Sequence, residues 1–92
     1  MINYQVHKGT ESELLAQVWL ARKGYYIFKN VDNTCPIDIV AIKDKEILLI
    51  DVKTTRKHDH KKYETKSKAL TPNQKKLGVK LLYVYDNGDC KF

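Results

Sequence analysis

The chain has 92 residues, enough for one domain around a single modest core and too few for two. A hydrophobic share of 42% excludes global disorder, and Lys+Arg 17 against Asp+Glu 11 gives a net charge of +6, which favours polyanionic partners over cationic ones. Cys35 and Cys90 are too few and too far apart for a zinc knuckle or a redox pair, so two free thiols in a reducing compartment are expected. No signal peptide, transmembrane run or lipidation motif is legible, which predicts a soluble cytoplasmic protein.

In chain order, Thr10 followed by Glu13 has the form of a capping box, and it predicts a helix running to about Lys23 with Gly24 as its stop. Leu14, Leu15, Val18 and Ala21 make an apolar stripe that Ala16, Trp19 and Leu20 widen; such a helix is buried on two sides or meets a partner chain. A short strand is expected from Tyr25 to Lys29. Two further strands, Ile37 to Ile42 and Glu46 to Lys53, are joined by the polar turn Lys43-Asp44-Lys45 as a hairpin. Ile47, Leu48, Leu49 and Ile50 are apolar on both faces, the pattern of a central strand covered on each side. Thr54 to Lys68 lacks periodicity and holds six basic residues against two acids, a basic loop of net +4. Thr71-Pro72-Asn73-Gln74 starts a second helix with a threonine cap and proline at the first position, ended by Gly78. Val79 to Tyr85 reads as a strand, and Asp86-Asn87-Gly88-Asp89 turns it into a short last strand ending at Phe92. The order is helix, three strands, helix, two strands: an α/β fold around a mixed sheet of about five strands, spanning residues 1–92 as one domain.

The chemistry concentrates between Pro36 and Lys53. Side chains two apart on a strand share a face, so Asp51 and Lys53 project together from the end of a hydrophobic strand. Charges there are costly unless paired or bound to a metal. Asp38 lies where the preceding strand enters the same sheet. Mg²⁺ takes one or two carboxylates plus waters and phosphate oxygens, which Asp38, Asp51 and the backbone carbonyl of Val52 can complement, with Mn²⁺ as a substitute. Lys53 is then a point charge placed to orient water or offset charge on a phosphorus centre. The simpler alternative is a structural salt bridge capping a strand.

Taken together, Lys8-Gly9 before Glu13, then Pro36-Ile37-Asp38, then Asp51-Val52-Lys53 resemble the PD-(D/E)xK nuclease superfamily. Within it the set is similar to the small archaeal-type Holliday junction resolvases over roughly Lys8 to Lys57. The resemblance implies a restriction-endonuclease-like fold and a divalent-metal-dependent DNA nuclease. In it Asp38 and Asp51 hold Mg²⁺, Lys53 is catalytic and Glu13 acts on the metal's water shell. Glu11 is the rival to Glu13, because it lies on the Leu14/Leu15/Val18 stripe. The acid of the acid-x-lysine element is more often glutamate in the resolvases, and their helix before the penultimate strand is longer. The Thr71-Pro72-Asn73-Gln74 element instead resembles a motif of viral replication-repair type nucleases, which places Gln74 near the metal or simply at a helix cap.

The activity expected is hydrolysis of branched or otherwise structured DNA by a homodimer or higher oligomer. Lys8, Arg56, Lys57, Lys61 and Lys62 are the candidate DNA-binding residues. Compact size suits a phage or mobile-element protein acting in DNA repair or recombination. Flap or site-specific cleavage on the same fold is one alternative, and a non-catalytic DNA-binding module or a bland basic protein are the others. His58-Asp59-His60 reads as surface polar sequence rather than a zinc site, and Tyr25, Tyr26 and Phe28 as core or sheet surface rather than base-stacking platforms.

Overall fold

A computed structural model describes residues 4–32, 34–55, 70–85 and 87–92. Its first element is helix α1 (Tyr4–Arg22), which begins six residues before the expected start at Thr10. Thr10 is therefore an interior residue and no cap. Gly9 is a poor helix former, but its cost of about 1 kcal/mol does not stop a helix that already has a turn behind it. At the other end Gly24 halts the helix as expected, with φ +94°. The Gly24 N–H donates to Ala21 O at 3.0 Å and the Tyr25 N–H to Leu20 O at 3.2 Å, the paired bonds of a Schellman turn.

Five strands follow in the spatial order of the chain: β1 (Tyr26–Lys29), β2 (Ile39–Lys43), β3 (Glu46–Thr55), β4 (Val79–Tyr85) and β5 (Cys90–Lys91). All neighbours are antiparallel except β3 and β4, which run parallel from Leu49↔Val79 to Thr55↔Tyr85. The β2–β3 hairpin closes on Asp44-Lys45, with Asp44 at φ 54°, a left-handed conformation that aspartate tolerates. Short helix α2 (Pro72–Leu77) leads into β4. Its start is a complete capping box: Thr71 Oγ1 accepts from the Gln74 N–H at 3.1 Å, and Gln74 Oε1 accepts from the Thr71 N–H at 3.0 Å. The mixed five-stranded sheet flanked by helices, in the order helix-β-β-β-helix-β-β, is the fold expected from the sequence and is consistent with a restriction-endonuclease-like domain.

The core forms where α1 lies on one face of the sheet. Ala16 and Leu20 pack against Ile39, Ala41, Leu48, Ile50, Leu82 and Val84, all buried. Each large member contributes about 1.5–3 kcal/mol. The buried stripe of α1 is Ser12, Ala16 and Leu20, flanked by Leu15 and Trp19: the residues expected to widen the Leu14/Leu15/Val18/Ala21 stripe form its centre, and of that stripe only Leu15 packs on the core, Leu14 being 57% exposed and Val18 47%. Small side chains at Ser12 and Ala16 let the helix backbone sit close to the strands, so proximity outweighs side-chain volume in choosing the face. Trp19 still anchors, edge-on to Phe92 with ring centroids 5.8 Å apart. The opposite face is covered unevenly. Val79 is buried there, whereas Ile47 is 61% exposed, so β3 is central in the sheet but not covered along both faces as its composition implied.

Candidate active site at the strand ends

Three neighbouring elements build the site. At the start of β2, the Asp38 N–H donates to Ile50 O at 2.8 Å, and the Asp38 C=O accepts from the Asn30 N–H at 3.2 Å. These bonds fix Asp38 between β1 and β3 before regular β2 begins, which is why the strand starts at Ile39 rather than at the expected Ile37. The Asp38 carboxylate Oδ2 accepts from the Val52 N–H at 2.8 Å. A strand residue aims its N–H and C=O to the same side, so the Val52 carbonyl faces Asp38's side of β3 as well.

On β3, side chains alternate: Leu48, Ile50 and Val52 turn to the α1 core, leaving Asp51 and Lys53 together on the other face. Lys53 Nζ lies 3.2 Å from Asp51 Oδ2, with side chains 46% and 13% exposed respectively. The Asp51 carboxyl lies near enough to that of Asp38 to raise its proton affinity. Burial, and then the adjoining Asp51 carboxyl, push Asp38 above the usual carboxylate range against the opposing pull of the Val52 N–H and the Lys29 charge. Asp38 therefore holds its proton more readily than a free carboxyl, unless a cation joins it.

Glu13, on α1, bonds Lys29 of β1 at 2.7 Å, and the Lys29 charge is felt at Asp38. The helical acid thus pairs with a lysine that sequence reasoning missed, and it is the lysine whose charge acts on Asp38. Lys29 aligns with Ile39, next to Asp38, only once β1 and β2 are in register; no local motif marks it. Ser12 was also missed. Its Oγ lies 2.7 Å from Thr54 Oγ1, a bond that pins α1 to β3 one residue past Lys53, and a small polar residue on the buried side of a helix was its one signal. Glu11 is exposed.

Gln74 uses both ends of its amide on backbone. Besides closing the cap, its Nε2 donates to Pro36 O at 2.9 Å, tying α2 to the segment that delivers Asp38. The side chain of Lys8, all of Arg56, Lys57, Lys61 and Lys62, and the His58-Asp59-His60 triplet lie outside the described residues. Among the described residues, Cys35 and Cys90 are free, and no helix is long and apolar enough to cross a membrane.

Among the described residues no three acids, histidines or cysteines gather round one point, so the donor set is not that of an all-protein zinc cage. Two carboxylates and a backbone carbonyl facing the same side suit Mg²⁺, which keeps several waters and shares its coordination with phosphate oxygens. The residues fit that ion.

A family model described as "Uncharacterised protein family UPF0102" matches residues 12–91, nearly the whole chain and all of the site described above. No curated protein and no solved structure matches the sequence.

Proposed function

The chain belongs to the UPF0102 family, a PD-(D/E)xK-like family, nuclease-like in fold, and from that premise we propose a Mg²⁺-dependent endonuclease that hydrolyses phosphodiester bonds in branched or otherwise structured DNA. The observation that carries this reading is that Asp38, just before β2, and Asp51, paired with Lys53 on β3, lie within electrostatic reach of each other. Bringing two acids together costs stability in a protein of net +6 that has cations to spare, and a divalent cation with a phosphate is the ligand that offsets it.

Bound there, Mg²⁺ supplies Lewis acidity and lowers the proton affinity of its waters. The chain's own residues set the geometry. The Val52 N–H locks the Asp38 carboxylate in place, and the Ile50 carbonyl locks its backbone. Asp51 holds the Lys53 ammonium at the edge of the site, where nearly half of that side chain meets solvent. From there it orients an attacking water and offsets charge at phosphorus as the 3′ oxygen leaves. Glu13 bonds Lys29, whose charge is felt at Asp38, so its part is to position that lysine.

A symmetric homodimer is part of the proposal, because a domain this small offers little surface for two duplex arms. The six-residue α2 and the Thr71-Pro72-Asn73-Gln74 element favour, as the second reading, a flap or repair-type nuclease over a junction resolvase.

Two measurements test the proposal. Calorimetry with Mg²⁺ and Mn²⁺ is expected to show saturable binding that Asp51→Asn abolishes; no binding to the natural chain overturns it. Labelled four-way junctions, flaps, splayed arms and linear duplexes are then incubated with Mg²⁺. Paired symmetric nicks on the junction indicate the resolvase dimer, and cleavage of flaps alone the repair-type enzyme.

A further inference from the structure

Next to the acid pair the sheet carries a pocket of about 260 Å³ whose largely apolar walls include Phe28, Asn30, Pro36, Ile37, Asp38 and Val40. That volume lies just under the roughly 300–1,000 Å³ that takes a drug-sized ligand, the scale of one planar ring system. Phe28 is 54% exposed on edge strand β1 and, by alternation with Ile27, turns away from the α1 core. A half-exposed aromatic ring over apolar walls is a stacking surface, and stacking accepts any base because every base has a flat π-face. Asp38 belongs both to the pocket wall and to the acid pair. A group seated in the pocket is therefore a neighbour of whatever phosphate meets those acids. The Gln74 bond to Pro36 O, at 2.9 Å, holds one wall to α2.

We infer that this pocket receives one unpaired nucleobase of the strand being cut, stacked on Phe28 with its adjoining phosphate at Asp38 and Asp51. The inference rests on the nuclease reading and narrows its substrate. A base inside a duplex must be unstacked and unpaired before it can enter, whereas an unpaired nucleotide at a branch enters freely. The preferred DNA is thus a branch with a single-stranded nucleotide at the cut, such as a flap, over a fully paired four-way junction.

The test uses the full chain in EDTA, where binding is read without cleavage. Fluorescence anisotropy follows a labelled flap DNA carrying either thymine or an abasic site at the first unpaired position. Loss of the base is expected to weaken binding about tenfold, matching one stacked base. Phe28→Ala should weaken the thymine flap by a similar factor and erase the difference between the two DNAs, while Phe28→Tyr restores it. With 5-iodouracil at that position, ultraviolet crosslinking should map to Phe28. Equal binding of both flaps by the natural chain, or a difference that persists in Phe28→Ala, overturns the inference. The nuclease reading fails separately: an intact base effect with no metal-dependent cleavage of any DNA supports the pocket and sinks the enzyme.

Discussion

Lys53 keeps nearly half of its side chain in solvent while its ammonium rests 3.2 Å from Asp51, so it can be removed without opening the core. Lys53→Ala is expected to fold and bind DNA normally but to cleave at least a hundredfold more slowly, the scale of losing one group that meets charge developing in the transition state; single-turnover rates check this. Asp38 behaves in the opposite sense towards stability. Its carboxyl is held above the usual range, chiefly by burial, so the unfolded chain gives up that proton first and the native state loses ground as pH rises through the interval between the two values. Asp38→Asn keeps an oxygen for the Val52 N–H and removes the charge. Its melting temperature at pH 7 should therefore equal or exceed that of the natural chain, the advantage fading in strong acid where both forms are neutral, while calorimetric Mg²⁺ binding disappears. A lower melting temperature at pH 7 would mean that Asp38 is there for the fold.

Helix α2 and the β2–β3 hairpin act as units, and two substitutions separate their roles. Thr71→Ala and Gln74→Ala each break the capping box and should cost about 1 kcal/mol in denaturant unfolding. Only Gln74→Ala also frees Pro36, so it alone should slow cleavage beyond what its stability loss explains. On α1, Ser12→Ala leaves the exposed Thr54 hydroxyl to bond water in place of its 2.7 Å partner, at an expected cost of about 0.5–1.5 kcal/mol. These elements also show where sequence is readable. Thr71 with Gln74, Gly24 and Gly78 all proved legible because each motif is satisfied by backbone within one turn. Thr10 with Glu13 misled because the same spacing occurs inside a helix, where Glu13 is free to bond Lys29 instead. Asp51 and Lys53 could be paired from strand alternation alone. Lys29 could not be found, since its place depends on how β1 aligns with β2.

For the molecule as a whole, the excess of positive charge gathers between Arg56 and Lys68, directly after the strand that carries Asp51 and Lys53. Neutralising Arg56, Lys57, Lys61 and Lys62 together should weaken DNA binding and flatten its salt dependence, by up to about 0.9 in log–log slope for each phosphate no longer neutralised. Binding isotherms at several salt concentrations measure this, and an unchanged slope would place those cations away from DNA. Finally, one parallel pairing interrupts an otherwise antiparallel meander: β4 reaches β3 across more than twenty intervening residues, whereas β2 meets β3 across a two-residue turn. Closing the long connection is entropically slower than closing the short one. Asp38 and Asp51 both sit on the locally closed hairpin, so the nascent chain can juxtapose its two acids before the distal half of the sheet docks, and assembly of the chemistry need not await completion of topology.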